Sequence, residues 1–297
     1  MINLSQYSLS VDERSAISRQ LEGVGDNFSL THLWGLMDQA WIRYGCDNRN
    51  LNSDRLAQFY SDPVWLLNGI FTEQDSASLG HRKAIAAAVS AMAPKRVVDF
   101  GGGFGTLARL LASAIPQAEI SICDPFPPRL GVESCQAFSN INYVSELQPQ
   151  SVDVLVSTDV LEHVPDPLTL LASMVDAVRP GGHLLIANCF YPVIACHLPC
   201  TFHLRYSFDS FCRSLGLAVI GSCDGSLATV YKRVHLVQPD WQHLRRMELR
   251  SQRLFPWRQR YSRYLYPHLH PWMIRSRLAL SEPLHYPRKV FKALFDR

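Results

Sequence analysis

Arg96-Val-Val-Asp-Phe-Gly-Gly-Gly-Phe-Gly-Thr-Leu-Ala-Arg-Leu-Leu-Ala112 is the stretch that decides the fold of this 297-residue chain. Its first five residues predict a short strand that ends in a carboxylate followed by an aromatic residue. Four glycines within the next five residues form a loop, and leucines at helical spacing follow it. A strand, a glycine turn and a helix in this order predict a site where the main chain approaches a ligand closely, because glycine has no Cβ.

Asp99 distinguishes this loop from a dinucleotide-binding loop. A dinucleotide fold uses the spacing G-x-G-x-x-G, and the pyrophosphate then lies on the helix N-terminus. Here the spacing is Asp99-x-Gly101-x-Gly103-x-Gly105, which places a negative charge at the head of the loop. That charge repels a pyrophosphate and attracts an ammonium or sulfonium group. We therefore expect a positively charged cofactor without phosphate.

Three further motifs follow the glycine loop: Ser121-Ile-Cys-Asp124, the block from Val152 to Pro167, and Val178-Arg-Pro-Gly-Gly-His-Leu-Leu-Ile186. With the loop, they resemble a class I S-adenosylmethionine-dependent methyltransferase over about residues 80 to 235. The resemblance implies an α/β, Rossmann-like sheet of seven strands with a closing antiparallel hairpin. The Asp224-Gly225 turn signal between two apolar runs is typical of that hairpin.

The pattern of apolar residues predicts three parts of the chain. Residues 1–78 form a helical N-terminal cap, with helices over 29–48 and 53–71. Residues 79–237 form the cofactor-binding domain, in which strands and helices alternate as in a parallel sheet covered on both faces. Residues 238–297 form a basic, aromatic extension of helices broken by prolines.

Composition and charge narrow the functional class. Hydrophobic residues make up 47% of the chain and charged residues 19%, as in an ordinary globular protein. No apolar run is long enough to span a bilayer and residues 1–20 carry no signal-like apolar core, so we expect a cytoplasmic protein. The extension holds 13 Lys/Arg against 4 Asp/Glu, a net charge of +9. Its basic and aromatic side chains favour peripheral contact with an anionic membrane, whereas nucleic acid is not expected. A helical appendage packed on the core is the alternative, and the oligomeric state is left open.

The eight cysteines do not form a recognisable disulfide or metal pattern. Cys196-His197-x-x-Cys200-x-x-His203 combines zinc-binding residue types, but its spacing matches no common structural site. The sequence therefore predicts no metal.

The resemblance implies a set of cofactor-binding residues on the loops after the strands. The glycine loop wraps the methionine part, Asp99 faces its amino group through a water molecule, and Asp124 accepts hydrogen bonds from the ribose hydroxyls. The loop after the third strand flanks the adenine, although members of the family often carry an aspartate there. The predicted set is Asp99, Gly101, Gly102, Gly103, Gly105, Asp124, Ser145, Glu146, Ser157, Thr158 and Asp159. Purely structural alternatives are a turn that needs glycine conformations and an Asp124 that caps its own turn.

Catalytic and substrate residues are expected around the end of the fourth strand. His163 is the candidate general base, because a neutral imidazole suits that role. In the alternative, Glu162 and His163 only hold their loop, and alignment alone drives methyl transfer. The insert from Phe190 to Tyr206 is the expected lid over the methyl group, and the N-terminal region is expected to add further cover. The candidate contacts are Tyr191, His197, His203 and Arg205 in the insert, and Tyr60, Trp65 and Arg82 in the cover.

The predicted function is methyl transfer from S-adenosylmethionine to an oxygen or nitrogen of a small-molecule, sugar or lipid-linked glycan acceptor. Two other classes stay open at this point. One is a non-catalytic partner that binds the same cofactor to regulate or scaffold. The other is a nicotinamide-dependent oxidoreductase, which Asp99 and the closing hairpin disfavour.

Overall fold

Seven strands form one sheet in the order β3-β2-β1-β4-β5-β7-β6 in the computed structural model, which describes residues 2–23 and 28–265. The strands are β1 (Arg96–Phe100), β2 (Glu119–Cys123), β3 (Ile141–Tyr143), β4 (Val152–Thr158), β5 (Val178–Ala187), β6 (Leu217–Ser222) and β7 (Thr229–Arg233). The first five are parallel, and β7 runs antiparallel to both β5 and β6. Gly225 makes the turn before β7 with a φ of 80°. The predicted Rossmann-like sheet with its closing hairpin is confirmed.

Helices precede, connect and follow the strands along the chain. They are α1 (Val11–Leu21), α2 (Leu30–Arg43), α3 (Ser53–Tyr60), α4 (Pro63–Gln74), α5 (Ser76–Ala91), α6 (Thr106–Ala114), α7 (Arg129–Cys135), α8 (Pro167–Ala177), α9 (Phe208–Ser214) and α10 (Trp241–Arg260). Short 3₁₀ helices occupy Leu161–His163 and Pro199–Tyr206. A π-helical turn follows α10 at Tyr261–Leu265.

The centre of the sheet is apolar on both faces, as buried parallel strands require. Six consecutive residues of β4, from Val152 to Ser157, are buried. On one face, α5 and α6 pack through residues such as Val89 and Leu111 in a single cluster with Ile120 of β2. Helix α8 packs against β4 and β5, and α9 packs against β6. This packing fixes the carboxyl ends of β1, β2 and β4 at one edge of the sheet.

The predicted helix over 53–71 is wrong in one respect, because two helices occupy it. The first helix ends at Tyr60, and Asp62 caps the second, whose first residue is Pro63. The buried carboxylate of Asp62 accepts hydrogen bonds from Arg43 at 2.9 Å and from Tyr44 at 3.0 Å. Proline is favoured at the first position of a helix because its missing N–H is not needed there. The chain therefore turns at this point.

The N-terminal helices form a second apolar cluster with the segment that follows β5. Ile194, Cys196 and Leu198 pack among the buried residues of α2, α3 and α4. The carboxylate of Asp38 accepts a hydrogen bond from the Ala195 N–H at 2.6 Å, and Asn48 donates to the Ala195 carbonyl at 2.8 Å. The insert predicted as a lid is therefore attached to the N-terminal helices.

The chain divides into two compact units, Met1–Leu244 and Arg245–Arg297. Of the predicted basic extension, the structure describes α10 and the π-helical turn. Pro256 lies inside α10, so the helix continues through one proline expected to break it. The prolines predicted to break helices after residue 265 lie outside the described residues, and the division at 78 and 237 stays a prediction. Within the described ranges, no helix combines the length and the apolar character needed to cross a membrane.

Candidate active site

The glycine loop joins β1 to α6 and lies between two neighbouring strand ends. Gly101, Gly103 and Gly105 have φ values of 73°, 48° and 74°, in the left-handed region where glycine carries no Cβ penalty. The Gly101 N–H donates to the carbonyl of Cys123 at 2.8 Å, which ties the loop to β2. A Cβ at Gly101 would lie 2.3 Å from Cγ2 of Val160, so the loop after β4 also packs closely here. The backbone conformation therefore favours glycine at all three positions, and close packing also requires it at Gly101 and Gly105.

Asp99 is buried under this loop, with 3% of its surface exposed. Its Oδ2 atom has no hydrogen-bond partner among the residues that the structure describes. A Cβ at Gly102 would lie 2.7 Å from that oxygen. Burial raises the pKa of Asp99 to about 7; Arg82 opposes the rise and Asp124 adds to it. A buried carboxylate oxygen without a partner is costly unless a ligand supplies the missing donor.

Asp124, at the end of β2, holds the glycine loop in place. Its Oδ2 accepts a hydrogen bond from the Gly103 N–H at 2.9 Å, and its Oδ1 accepts one from the Phe126 N–H at 2.8 Å. The turn-capping role weighed for this residue is therefore present. Each oxygen retains a second lone pair, so the predicted ribose contact is compatible with this geometry and stays a prediction.

The end of β4 brings three predicted residues to the same edge of the sheet. Ser157 is fully buried, Thr158 is partly buried, and Asp159 has a left-handed φ of 55°. Asp159 keeps surface exposed to solvent. Its partial removal from water raises its pKa, while Arg82 and His197 oppose that rise. A non-glycine residue with positive φ is a strained feature of the kind that clusters at functional sites.

Glu162 is fully buried and fastens the end of the sheet to the insert. One carboxylate oxygen, Oε1, accepts a hydrogen bond from the Cys189 N–H, and the main-chain carbonyl of Glu162 accepts one from the Leu198 N–H at 2.8 Å. These contacts are the structural role weighed for this residue. The other oxygen, Oε2, has no partner within the described structure. Burial and the nearby Asp159 raise the pKa of Glu162 to about 8.

His163 and His197 form a pair beside Glu162, with ring centroids 4.9 Å apart. The His163 Nδ1 lies 3.2 Å from the carbonyl oxygen of Cys196, and the His197 Nδ1 lies 2.7 Å from that of Tyr191. Because a carbonyl can only accept, each ring carries its proton on Nδ1 and leaves Nε2 unprotonated. Burial lowers the pKa of His163 to about 3 and also lowers that of His197, so both imidazoles are neutral. A pKa this low makes His163 a weak general base in this state.

The other predicted substrate contacts lie elsewhere. Arg205 stacks over the exposed Tyr191 ring, with 4.0 Å between its Cζ and the ring centroid, and both line a separate cavity of about 280 Å³. His203 is buried and packs edge-on to Phe211, with ring centroids 6.5 Å apart. Ser145 and Glu146 are exposed in the loop after β3. The structure therefore joins only His197 to His163, and the roles of the others stay predictions.

Aromatic side chains from two further segments pack beside His163, and the sequence predicted only some of them. Tyr60, at the end of α3, stacks on Phe126 with centroids 5.8 Å apart and meets His163 edge-on at 6.5 Å. Sequence reasoning named Tyr60, Trp65 and Arg82 but missed Phe126. It also missed that His163 and His197 are neighbours, since 33 residues separate them and no local pattern links them.

Comparisons with known proteins bear on the family resemblance. Residues 76–213 match a family model described as a methyltransferase domain. A ubiquinone biosynthesis O-methyltransferase of Cupriavidus pinatubonensis is 31% identical over 110 residues, which cover 34% of this chain and 43% of that protein. The corresponding protein of Vibrio cholerae is 33% identical over 104 residues, covering 32% and 42%. The chain thus spans less than half the length of the curated relatives it matches.

A solved structure of an O-methyltransferase family protein from Burkholderia thailandensis is also similar. It is 15% identical, with a TM-score of 0.47, and the match covers 75% of this chain and 77% of that one. The family match itself contains the glycine loop, Asp99, Asp124 and the Glu162-His163 loop. Residues 76–213 thus match the kind of domain, a methyltransferase domain, that the sequence motifs resemble.

Proposed function

We propose that this chain transfers a methyl group from S-adenosylmethionine to an oxygen or nitrogen atom of a small-molecule acceptor. The observation that carries the proposal is the buried Oδ2 atom of Asp99, which lacks a partner directly beneath the glycine loop. An ammonium group is a donor that this oxygen can accept, and the methionine part of the donor carries one. When bound, S-adenosylmethionine supplies an electrophilic methyl group on a sulfonium.

The residues of the site fit this donor. Asp99 accepts the ammonium, and Arg82 provides a positive charge for the carboxylate of the same amino-acid part. Asp124 faces the ribose while holding Gly103, and the absence of a Cβ at Gly102 leaves room for close approach. The ammonium and the carboxylate of the cofactor each lie next to a protein group of opposite charge, and an opposite charge nearby favours the ionised form of a group.

The acceptor binds beside the loop after β4, under the Tyr60 and Phe126 rings. The similarity to O-methyltransferases favours oxygen as the acceptor atom. Alignment of the acceptor with the methyl group supplies most of the rate enhancement, because a methyl transfer in line needs orientation more than proton removal. A sugar or a lipid-linked glycan is the alternative to a free small molecule as the acceptor.

Two measurements test this proposal. Calorimetry with S-adenosylhomocysteine is expected to show saturable binding, whereas NAD is expected to show none. Incubation with methyl-labelled S-adenosylmethionine and a panel of hydroxylated and amino small molecules is expected to transfer label to at least one of them. Tight NAD binding without S-adenosylhomocysteine binding contradicts the proposal. Binding without transfer to any acceptor favours the non-catalytic alternative.

We also propose that the basic extension contacts an anionic membrane surface at its periphery. The face of α10 that carries Arg246, Arg250 and Arg253 also exposes Leu249 and Trp257, the latter with 69% of its surface exposed. Tyr261 follows on the next turn and is 43% exposed. Exposed arginines alternating with exposed apolar side chains are typical of helices that lie in the headgroup region.

Vesicle co-sedimentation of the full chain tests this contact. We expect binding to vesicles of anionic lipid and not to neutral ones. Replacing Arg250 and Arg253 by glutamate is expected to reduce binding, because each basic residue near the surface contributes about 1 kcal/mol. Arg14→Glu with Arg19→Glu on the exposed face of α1 is the matched control. Equal binding by both double variants contradicts the proposal.

A further inference from the structure

Glu162, His163 and His197 place three metal-binding groups together beneath the insert. One carboxylate oxygen and one ring nitrogen from each histidine all lie within 4.8 Å of one another. The group is withdrawn from water, since Glu162 is fully buried and His197 is 6% exposed. The residues come from two segments, the 3₁₀ helix after β4 and the insert after β5, so the fold brings them together.

The remaining polar atoms of the three side chains are already held by the main chain. Each histidine donates its Nδ1 proton to a carbonyl, of Cys196 and of Tyr191, and its Nε2 is left with a lone pair. The Oε1 of Glu162 is fixed by the Cys189 N–H, and its Oε2 is buried without a partner. Histidines that bind metals almost always donate their second ring nitrogen in this way, which fixes the ring and its tautomer.

We propose that Glu162, His163 and His197 bind a divalent first-row transition metal such as Zn²⁺. Two imidazoles and one carboxylate are a ligand set that such ions accept, and they leave at least one coordination position open to water or to a substrate oxygen. An ion at this point offsets the cost of the unpartnered Oε2 atom. The ligand set departs from the sequence prediction of no metal. It also omits Cys200, which is exposed.

The competing explanation is that these side chains only anchor the insert. Anchoring accounts for Oε1 of Glu162 and for both Nδ1 atoms, but it leaves Oε2 without a partner. The two explanations differ in a measurable quantity, because an anchor has no affinity for a metal. Metal binding is measured without a methyl donor, so the inference does not rest on the proposed function.

Titration of the full-length, chelator-treated protein with Co²⁺ is the test, since Co²⁺ bound to nitrogen and oxygen ligands absorbs visible light. We expect one equivalent to bind in the described site, with Zn²⁺ displacing it and Mg²⁺ failing to do so. His197→Ala and Glu162→Gln are expected to weaken binding by at least about tenfold, as losses around metal sites do. The control is His183→Ala, since this histidine lies in the middle of β5, where it pairs with Lys232, and before the carboxyl end of the strand.

Thermal unfolding followed with and without Zn²⁺ separates loss of the site from loss of the fold. Wild type and His183→Ala are expected to gain stability with Zn²⁺, because a ligand that binds only the folded state stabilises it. His197→Ala with a native circular dichroism spectrum is expected to gain none, and His197→Gln replaces it if the alanine variant does not fold. No saturable Co²⁺ binding by wild type, or equal binding by wild type and the His197 variant, overturns the inference. Affinity for S-adenosylhomocysteine in the presence of chelator reports the proposed function separately.

Discussion

Two aspartates near opposite ends of the parallel strands show how a structural carboxylate differs from one in a binding site. Asp153, near the start of β4, accepts hydrogen bonds from the main-chain N–H groups of Lys95 at 2.6 Å and Arg96 at 3.0 Å, and it pairs with Arg179. Burial alone would raise the pKa of Asp153, but these three partners outweigh it and lower the pKa. Asp99, near the end of β1, is more deeply buried and has an oxygen with no partner.

The contrast indicates which carboxylate the fold needs and which one a ligand needs. Both residues lie in parallel strands of the same sheet, so the strand environment does not separate them. The completeness of their hydrogen bonding does. The fold satisfies Asp153 by itself, whereas Asp99 is satisfied only when a donor enters from the cleft.

Substitution of Asp99 by asparagine is expected to have the largest effect on ligand binding. Asp99→Asn removes the charge that faces the ammonium, and hydrogen bonds to charged groups contribute about 1.5–3 kcal/mol. We therefore expect calorimetry to show roughly 10- to 150-fold weaker binding of S-adenosylhomocysteine. Asp153→Asn, as the matched control, is expected to bind as wild type does. An equal loss of affinity in both variants would contradict the assignment of Asp99 to the binding site and Asp153 to the fold.

A substitution in the glycine loop also tests the role of Oδ2 of Asp99. In Gly102→Ala, the new Cβ would lie 2.7 Å from Oδ2 of Asp99. Overpacking of this kind costs about 1–3 kcal/mol, and here we expect most of it in the binding of S-adenosylhomocysteine. Gly80→Ala in α5 is the control, because a Cβ there meets no atom within 4 Å. Unchanged affinity in Gly102→Ala would show that the ligand does not approach this part of the loop.

The sequence predicted the sheet well and the cleft only in part, for physical reasons. The spacing of Asp99, the glycines and Asp124 is a local pattern, because strand, turn and helix follow one another directly along the chain. The Asp224-Gly225 turn and the runs beside it are local in the same way. The break at Asp62 was missed because apolar residues continue on both sides of it.

The aromatic packing beside His163 depends on contacts between distant segments. Tyr60 meets Phe126 and His163 only after the N-terminal helices have packed on the insert. The hydrogen bond between Asp38 and Ala195 joins residues 157 positions apart. No periodicity or spacing records such a contact, so the assignment of individual substrate residues in the insert could not be made from the sequence.

Substitution of Asp153, near the amino end of β4, is expected to lower the stability of the fold. Asp153→Asn leaves the Arg179 guanidinium without its ionic partner and weakens two main-chain hydrogen bonds, so we expect a loss of about 1–3 kcal/mol in the free energy of unfolding. Denaturation by urea, without ligand, measures this change. Asp99→Asn is expected to be neutral or stabilising in the same experiment, because it removes a buried charge that has no partner. A larger loss in Asp99→Asn than in Asp153→Asn would contradict the assignment.

The pH dependence of the free protein follows from the raised pKa of Asp99. The folded-state pKa of about 7 exceeds the ordinary value of 3.8, so the folded state holds a proton that the unfolded state releases. The contribution of Asp99 to stability is therefore fully present below pH 4 and is lost as the pH rises through 7. We expect wild type to lose unfolding free energy relative to Asp99→Asn as the pH rises from 5 to 8. A constant difference would mean that Asp99 does not titrate in this range.

The affinity for the ligand is expected to rise with pH, whereas the stability of the free protein falls. This is the smallest of the expected effects. An ammonium group binds the ionised form of Asp99, so affinity for S-adenosylhomocysteine should rise by roughly tenfold between pH 6 and 8 as that form becomes dominant. Arg82 and Asp124 are the charged groups coupled to Asp99. Arg82 stays charged over this range because a guanidinium does not lose its proton near neutral pH, so it does not account for a midpoint near 7. Calorimetry in buffers of different ionisation enthalpy should detect proton release on binding near pH 7. Asp99→Asn should release no proton and show a flat profile, and a rise that persists in this variant would assign the titration to another group.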